Sequence, residues 1–219
     1  MRQRLLDIYE CLFATYGPQG WWPGDSPFEV IVGAILTQNT AWVNVEKAIA
    51  NLRAAHALTP AGLLALPAQE LAPLIRPAGY FNTKARKLRA FVEFLEREHR
   101  GNLGGLFSLA TAPLREALLS IYGIGPETAD SILLYASGRP VFVVDAYTRR
   151  TFSRLGLVPD TIGYHDLQAL FTEHLPPDVA LFNEYHALIV RHGKDCCHKR
   201  QPACEPCPLH NNCPYSMNV

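Results

Sequence analysis

The sequence predicts an all-α protein. Apolar residues recur at three- and four-residue intervals, as in Leu5, Tyr9, Leu12 and Tyr16 and again in Leu88, Phe91, Val92 and Leu95, the spacing that gathers side chains on one helix face. Alternating strand patterns are almost absent, and the short apolar run from Val141 to Val144 is too isolated to build a sheet. Helix starts are also written in capping chemistry. In Asp25-Ser26-Pro27-Phe28-Glu29, Ser26 is placed to cap, Pro27 to preset the first turn and Glu29 to close a capping box. With 48% hydrophobic and 18% charged residues over 219 positions, the chain is neither disordered nor fibrous, and its length suits one domain or two small, intimately packed ones.

The elements follow in order. The first helix carries Leu5 to Tyr16, and a buried helix from Phe28 to about Leu36 follows the Ser26 cap. Thr40 is placed to cap the third, whose Trp42, Val45, Ile49 and Leu52 share a face. Further helices are expected over 60–66, 68–76, 83–99, 113–121, 127–137, 146–155, 164–174 and 178–192. No repeat or low-complexity linker divides the chain, so any domain division is interdigitated.

Twenty basic and twenty acidic residues cancel, so nucleic-acid binding, if present, must be local. One imbalance lies between Arg76 and Arg100, where Arg76, Lys84, Arg86, Lys87, Arg89, Arg97 and Arg100 face Glu93, Glu96 and Glu98. From charge alone, a solvated helix face is the favoured reading of that run. A helix begins at once and no stretch approaches a membrane span, so a cytoplasmic, monomeric protein without membrane contact is expected.

Four of the six cysteines fall in the last 23 residues as Cys197, Cys204, Cys207 and Cys213, a C-x6-C-x2-C-x5-C pattern. In a reducing compartment such a cluster points to metal. Four thiolates hold either tetrahedral zinc or a 4Fe-4S cube. Zinc sites are built mostly from pairs two to four residues apart, and only one such pair exists here, so the wide spacings favour the cube. Cys196 is an additional thiol outside that set, and Cys11 is expected as a small buried hydrophobe.

Ile121-Tyr122-Gly123-Ile124-Gly125-Pro126-Glu127 lies between two helical patterns. Its glycines and Pro126 suit a hairpin whose backbone amides, at a helix start, receive a DNA phosphate, although a G-x-G is also an ordinary helix-helix turn. Asp145 follows, directly before a helix, where an N-cap is one reading and a catalytic carboxylate the other.

Taken together, the hairpin with Asp145, Leu36-Thr37-Gln38-Asn39-Thr40, Gly79 to Ala85 and the cysteine loop with Gly193, Lys194, Pro202, Pro208 and Leu209 resemble the endonuclease III superfamily of helix-hairpin-helix DNA glycosylases. The resemblance covers nearly the whole chain. It implies a six-helix barrel domain over about 21–130, a helix-hairpin-helix over about 113–137, and a cluster domain made of 1–20 and 131–219 with the 4Fe-4S loop at 197–213. A DNA cleft would lie between the two domains, and the partner would be double-stranded DNA with a damaged base. By the same resemblance Gly123, Gly125 and Lys84 contact DNA, Gln38 plugs the gap left by a flipped nucleotide, Tyr80 wedges the opposite strand, and Asp145 stabilises positive charge on the sugar.

Endonuclease III carries a lysine two residues beyond the second hairpin glycine, where this chain has Glu127. That departure implies a glycosylase that uses water and makes no Schiff base. Gly20-Trp21-Trp22-Pro23-Gly24 with Thr40-Ala41-Trp42, and the shared Gly123 to Glu127 and Arg76 to Asn82 motifs, resemble a bacterial 3-methyladenine glycosylase subgroup, some of whose members lack the cluster. There Trp21, Trp22, Pro23, Trp42 and Glu127 would line the pocket for a cationic purine, which electron-rich rings select. A tryptophan pair also serves as core or anchor. The alternatives are a glycosylase for oxidised pyrimidines, a thymine or uracil mismatch glycosylase, and a non-enzymatic iron-sulfur protein that scans DNA or senses redox state.

Overall fold

The computed structural model describes residues 1–218 and divides into two compact units, one of 1–22 with 140–219 and one of 23–139. Among the described residues all regular structure is helical. No helix there is long and apolar enough to cross a membrane.

The first unit holds α1 (Arg2–Tyr16), α10 (Ala146–Arg154), α11 (Tyr164–Thr172) and α12 (Val179–Asp195), and α12 packs against both α1 and α10. Val141 to Val144 runs through it without a sheet, and the Phe142 carbonyl accepts from Gln168 Nε2 at 2.7 Å. Phe142 stacks flat on Phe171 with centroids 3.8 Å apart and meets Phe182 and Tyr185 edge-on. All four rings are buried, and the Tyr185 hydroxyl donates to the Leu5 carbonyl at 2.7 Å, which ties α1 to α12.

In the second unit, α2 (Pro27–Leu36) is buried at every position from Phe28 to Leu36. Apart from Glu29 its sides are apolar, as in a helix enclosed by others. It packs on α3 (Trp42–Ala54), α6 (Phe81–His99), α9 (Pro126–Ser131) and the π-helical turn Ile132–Ala136. That turn lies with 23–139 rather than with the C-terminal residues because it packs on α2. The amphipathic α6 buries Leu88, Phe91, Val92 and Leu95, as its spacing predicts. The remaining elements are α4 (Pro60–Ala65), α5 (Ala68–Leu74), α7 (Leu103–Phe107) and α8 (Thr111–Leu119).

Several local expectations are corrected. Ser26 caps α2 by accepting from the Glu29 amide at 3.2 Å, but the Glu29 carboxylate pairs with Arg53 of α3 at 2.8 Å instead of closing a capping box. Ala41, not Thr40, is the N-cap of α3, and the Thr40 hydroxyl accepts from Asn44 Nδ2 at 3.5 Å. The expected 68–76 helix ends at Leu74 and is followed by a 3-10 turn, Arg76–Ala78, since Pro77 has no N–H to continue the α-helical bonding and its ring crowds the carbonyl four residues earlier. The short α7, capped by Asn102, carries two glycines and offers too few residues for a periodic pattern.

Candidate functional site

In the first unit, α12 runs into the cysteine-rich loop. Gly193 is required there by close approach, because a Cβ would lie 2.3 Å from Tyr147 Cδ1. Two arginines of α10 shape the loop. Arg150 donates to the carbonyls of Cys197 at 2.7 Å and Gly193 at 2.9 Å. Arg154 donates to Cys197 Sγ at 3.1 Å and the His198 carbonyl at 2.8 Å, with its guanidinium over the Tyr215 ring. Cys11, expected as a buried hydrophobe, is half-buried instead, and its thiol donates to the Pro208 carbonyl at 3.2 Å.

Cys197, Cys204, Cys207 and Cys213 line one cavity, closed by Thr151, Leu155, His192 and Leu209. Burial pushes the Cys207 thiol up to about 12 and raises Cys196, so a thiolate there calls for a cationic partner. One tetrahedral zinc ion would hold its thiolates about 3.8 Å apart, from Zn–S distances of about 2.3 Å. Among the described residues no three of those four sulfurs gather within 4.8 Å of one another. Four thiols lining one cavity fit a zinc ion or an iron-sulfur cluster. The atoms that do gather are those of His192, Cys196 and Cys207. Burial, with Arg150 adding, pushes His192 down to about 4, so it is neutral at neutral pH. Tyr16, whose hydroxyl burial keeps protonated, shares a hydrogen bond with His192 Nδ1 at 3.1 Å, and His192 Nε2 faces Cys207 Sγ at 4.0 Å.

Asp145 is the N-cap of α10. Its Oδ1 accepts from the Thr148 amide at 2.8 Å and the Thr148 hydroxyl at 2.9 Å, and a full capping box forms. His186 Nε2 of α12 faces Oδ2 at 3.6 Å, just beyond hydrogen-bond length. Burial pushes the Asp145 carboxyl up, but His186 and the Thr148 donors outweigh it and hold the group below its ordinary value. In the same unit, Trp21 and Trp22 are half-buried and meet edge-to-face with centroids 5.5 Å apart. Lys194 Nζ sits 5.8 Å over the Trp21 ring. Gln19 anchors this loop through its amide to Glu184 Oε1 at 2.7 Å.

In the second unit the expected hairpin joins α8 to α9. Gly123 has φ 82°, a conformation that disfavours any other residue, and the Lys87 side chain lies directly against it. Gly125 is the exposed N-cap of α9, Pro126 fills the first helical position, and Glu127 is exposed in the first turn, where the helix dipole favours a carboxylate. Gln38 is tied to the hairpin. Its Nε2 donates to the Gly123 carbonyl at 3.1 Å and Thr128 Oγ1 at 2.9 Å, while Oε1 accepts from Lys87. Tyr80 is 72% exposed in left-handed backbone at the start of α6. Pro23 is exposed, and Trp42 is half-buried with Nε1 donating to Glu46 at 3.0 Å.

Lys84 requires correction as a DNA contact. It is 2% exposed, and Nζ donates to the carbonyls of Leu36 and Ala78, both at 2.8 Å. Burial, with Lys87 adding, pushes it down to about 8. It ties α2 to α6 and is turned away from solvent. His186, Lys87, Arg150 and Arg154 are absent from the sequence-based site, because the partners they meet lie far away in the chain.

The HhH-GPD superfamily base excision DNA repair protein family matches residues 32–177. "Putative DNA repair glycosylase MJ1434" of Methanocaldococcus jannaschii is 46% identical over 213 residues, 96% of each chain. Endonuclease III of Escherichia coli is 27% identical over 194 residues, 89% of this chain and 86% of its own. Among solved structures, H. pylori 3-methyladenine DNA glycosylase bound to 1,N6-ethenoadenine superposes with a TM-score of 0.74 at 28% identity, over 87% of this chain and 97% of its own. A non-covalent endonuclease III-DNA complex gives a TM-score of 0.86 at 21% identity, over 100% and 97%, a likeness of fold.

Proposed function

Because the chain belongs to the HhH-GPD superfamily of base excision DNA repair proteins, we propose that this DNA glycosylase hydrolyses the N-glycosidic bond of a flipped, alkylated purine such as 3-methyladenine, without lyase chemistry. The observation that carries the reading is the Asp145 carboxylate, held below its ordinary pKa at the first turn of α10. Cleavage of the bond puts positive charge on the sugar, which an ionised, fixed carboxylate stabilises while orienting water. Asp145 thus serves as cap and catalytic group together. Glu127 stands where a Schiff-base enzyme of this superfamily has its amine, and Lys84 is committed to two backbone carbonyls.

The alkylated-purine choice draws support from the Trp21–Trp22 pair and from the likeness to the H. pylori enzyme. The half-buried rings of Trp21 and Trp22 would stack on a cationic base, and Trp42 and Pro23 would each contribute to base recognition. Gly123 and Gly125 would present hairpin amides to a phosphate, and Tyr80, exposed, would meet the opposite strand. Gln38 would have to leave its hairpin contacts to enter the duplex, and Glu127 would sit near the purine or remain with the helix dipole. Cys197, Cys204, Cys207 and Cys213 would hold a 4Fe-4S cluster, which supplies a structural or redox-tuning centre for the loop. A monomer acting in the cytoplasm, without membrane contact, completes the reading.

Excision from duplexes containing 3-methyladenine, 7-methylguanine, hypoxanthine, thymine glycol, uracil or a G:T mismatch tests it. The expected result is base release from the alkylated purines with no borohydride-trapped adduct. Preferred release of thymine glycol, uracil or mismatched thymine would replace the substrate assignment, and efficient trapping would overturn the hydrolytic one.

Trp21→Ala and Trp22→Ala are each expected to weaken 3-methyladenine excision by about 1 to 3 kcal/mol, the contribution of base stacking on an aromatic ring. Wild-type excision by both folded variants would remove the tryptophans from the pocket.

A further inference from the structure

The N-cap of α10 uses half of the Asp145 carboxylate. Oδ1 takes both Thr148 donors, while Oδ2 is turned to His186 Nε2, 3.6 Å away on α12. Both side chains are largely enclosed, 7% exposed for His186 and 13% for Asp145, so water competes little for the contact. The terminal torsion of an aspartate is broad, and an anchor at one oxygen leaves the carboxylate plane free to pivot. A second polar contact from a different helix restricts that freedom. α12 is suited to supply it, because it packs along α10 and α1 and is buried from Tyr185 to Val190.

We propose that His186 is a positioning residue for Asp145, holding Oδ2 so that the carboxylate plane keeps one orientation toward the sugar. The proposal rests on the reading of Asp145 as the carboxylate of glycosidic hydrolysis. It accounts for the presence of a polar ring, 5% exposed, among the apolar residues of α12. The same contact, with Thr148, offsets the burial that would otherwise favour the neutral acid.

The test compares His186→Phe and His186→Gln by single-turnover excision from duplex carrying the preferred lesion, with duplex affinity and thermal stability measured alongside. Phenylalanine fills the enclosed space without an N–H, and glutamine restores a donor. The expected result is wild-type duplex affinity in both, a rate about a hundredfold lower in His186→Phe, the scale of loss from misplacing a reacting group, and substantial recovery in His186→Gln. Should the phenylalanine variant not fold, His186→Asn, a donor too short to reach Oδ2, takes its place with the same expectation. A wild-type rate in His186→Phe, or a loss shared in full by His186→Gln, would overturn the proposal. Asp145→Asn in the same assay keeps the two readings apart. If it stays active the role of Asp145 falls, and if it is inert while His186→Phe is wild type only the role of His186 falls.

Discussion

Asp145→Asn is expected to lower the single-turnover excision rate by about a hundredfold to ten-thousandfold, the range seen when a positioned acid-base or charge-stabilising group is lost. Asparagine is as good an N-cap as aspartate, so the Thr148 amide keeps an acceptor and α10 keeps its start. The substitution therefore isolates the charge from the fold, and lesion-duplex affinity should be largely preserved. The sign of the pH dependence follows from the lowered carboxyl. Its contribution to stability is present above the ordinary value of 3.8 and is lost only as pH falls through the lower folded value. Excision should accordingly show no titration of this group above about pH 5. A folded Asp145→Asn protein that excises at the wild-type rate would end the catalytic reading and leave Asp145 as a cap alone.

Replacing Cys207 or Cys213 by serine is expected to remove the iron entirely, whereas Cys196→Ser should leave it in place. Protein purified without oxygen should be brown with about four irons per chain, as one cube on four thiolates requires. Cys207 is the most informative position because burial drives its thiol up to about 12, so the loop has no inexpensive way to keep it ionised without the metal. Cys196 donates its thiol to the Ala203 carbonyl at 3.0 Å and so has a structural partner of its own. Stoichiometric zinc in native protein, or iron lost in Cys196→Ser, would overturn the ligand assignment.

Much of this molecule could be read locally. The Ser26 cap of α2, the Asp145 cap of α10 and the faces of α3 and α6 depend on residues three or four apart, and those relations survive in the chain whatever it packs against. The four cysteines likewise come from one short segment, and Cys197, Cys204, Cys207 and Cys213 line one cavity. The hairpin was legible through Gly123, whose positive φ demands glycine.

What tertiary structure decided was where each polar group found its partner. Lys84 sits in a basic run and reads as a surface charge, yet α6 turns it inward onto the carbonyls of Leu36 and Ala78. Glu29 has the spacing of a capping box, but Arg53 of the neighbouring helix offers its carboxylate an ion pair. Gln38 is held by Lys87, Gly123 and Thr128, and Asp145 by His186, all from segments far from it in the chain. The sequence by itself determined the all-helical class, the Ser26 and Asp145 caps and the spacing of the cysteine loop, since these follow from backbone geometry and local hydrogen bonding. The tertiary structure alone decided which buried charges are paired and by whom, because removing a charged or polar group from water is costly and its compensating partner is chosen by packing, not by proximity in sequence.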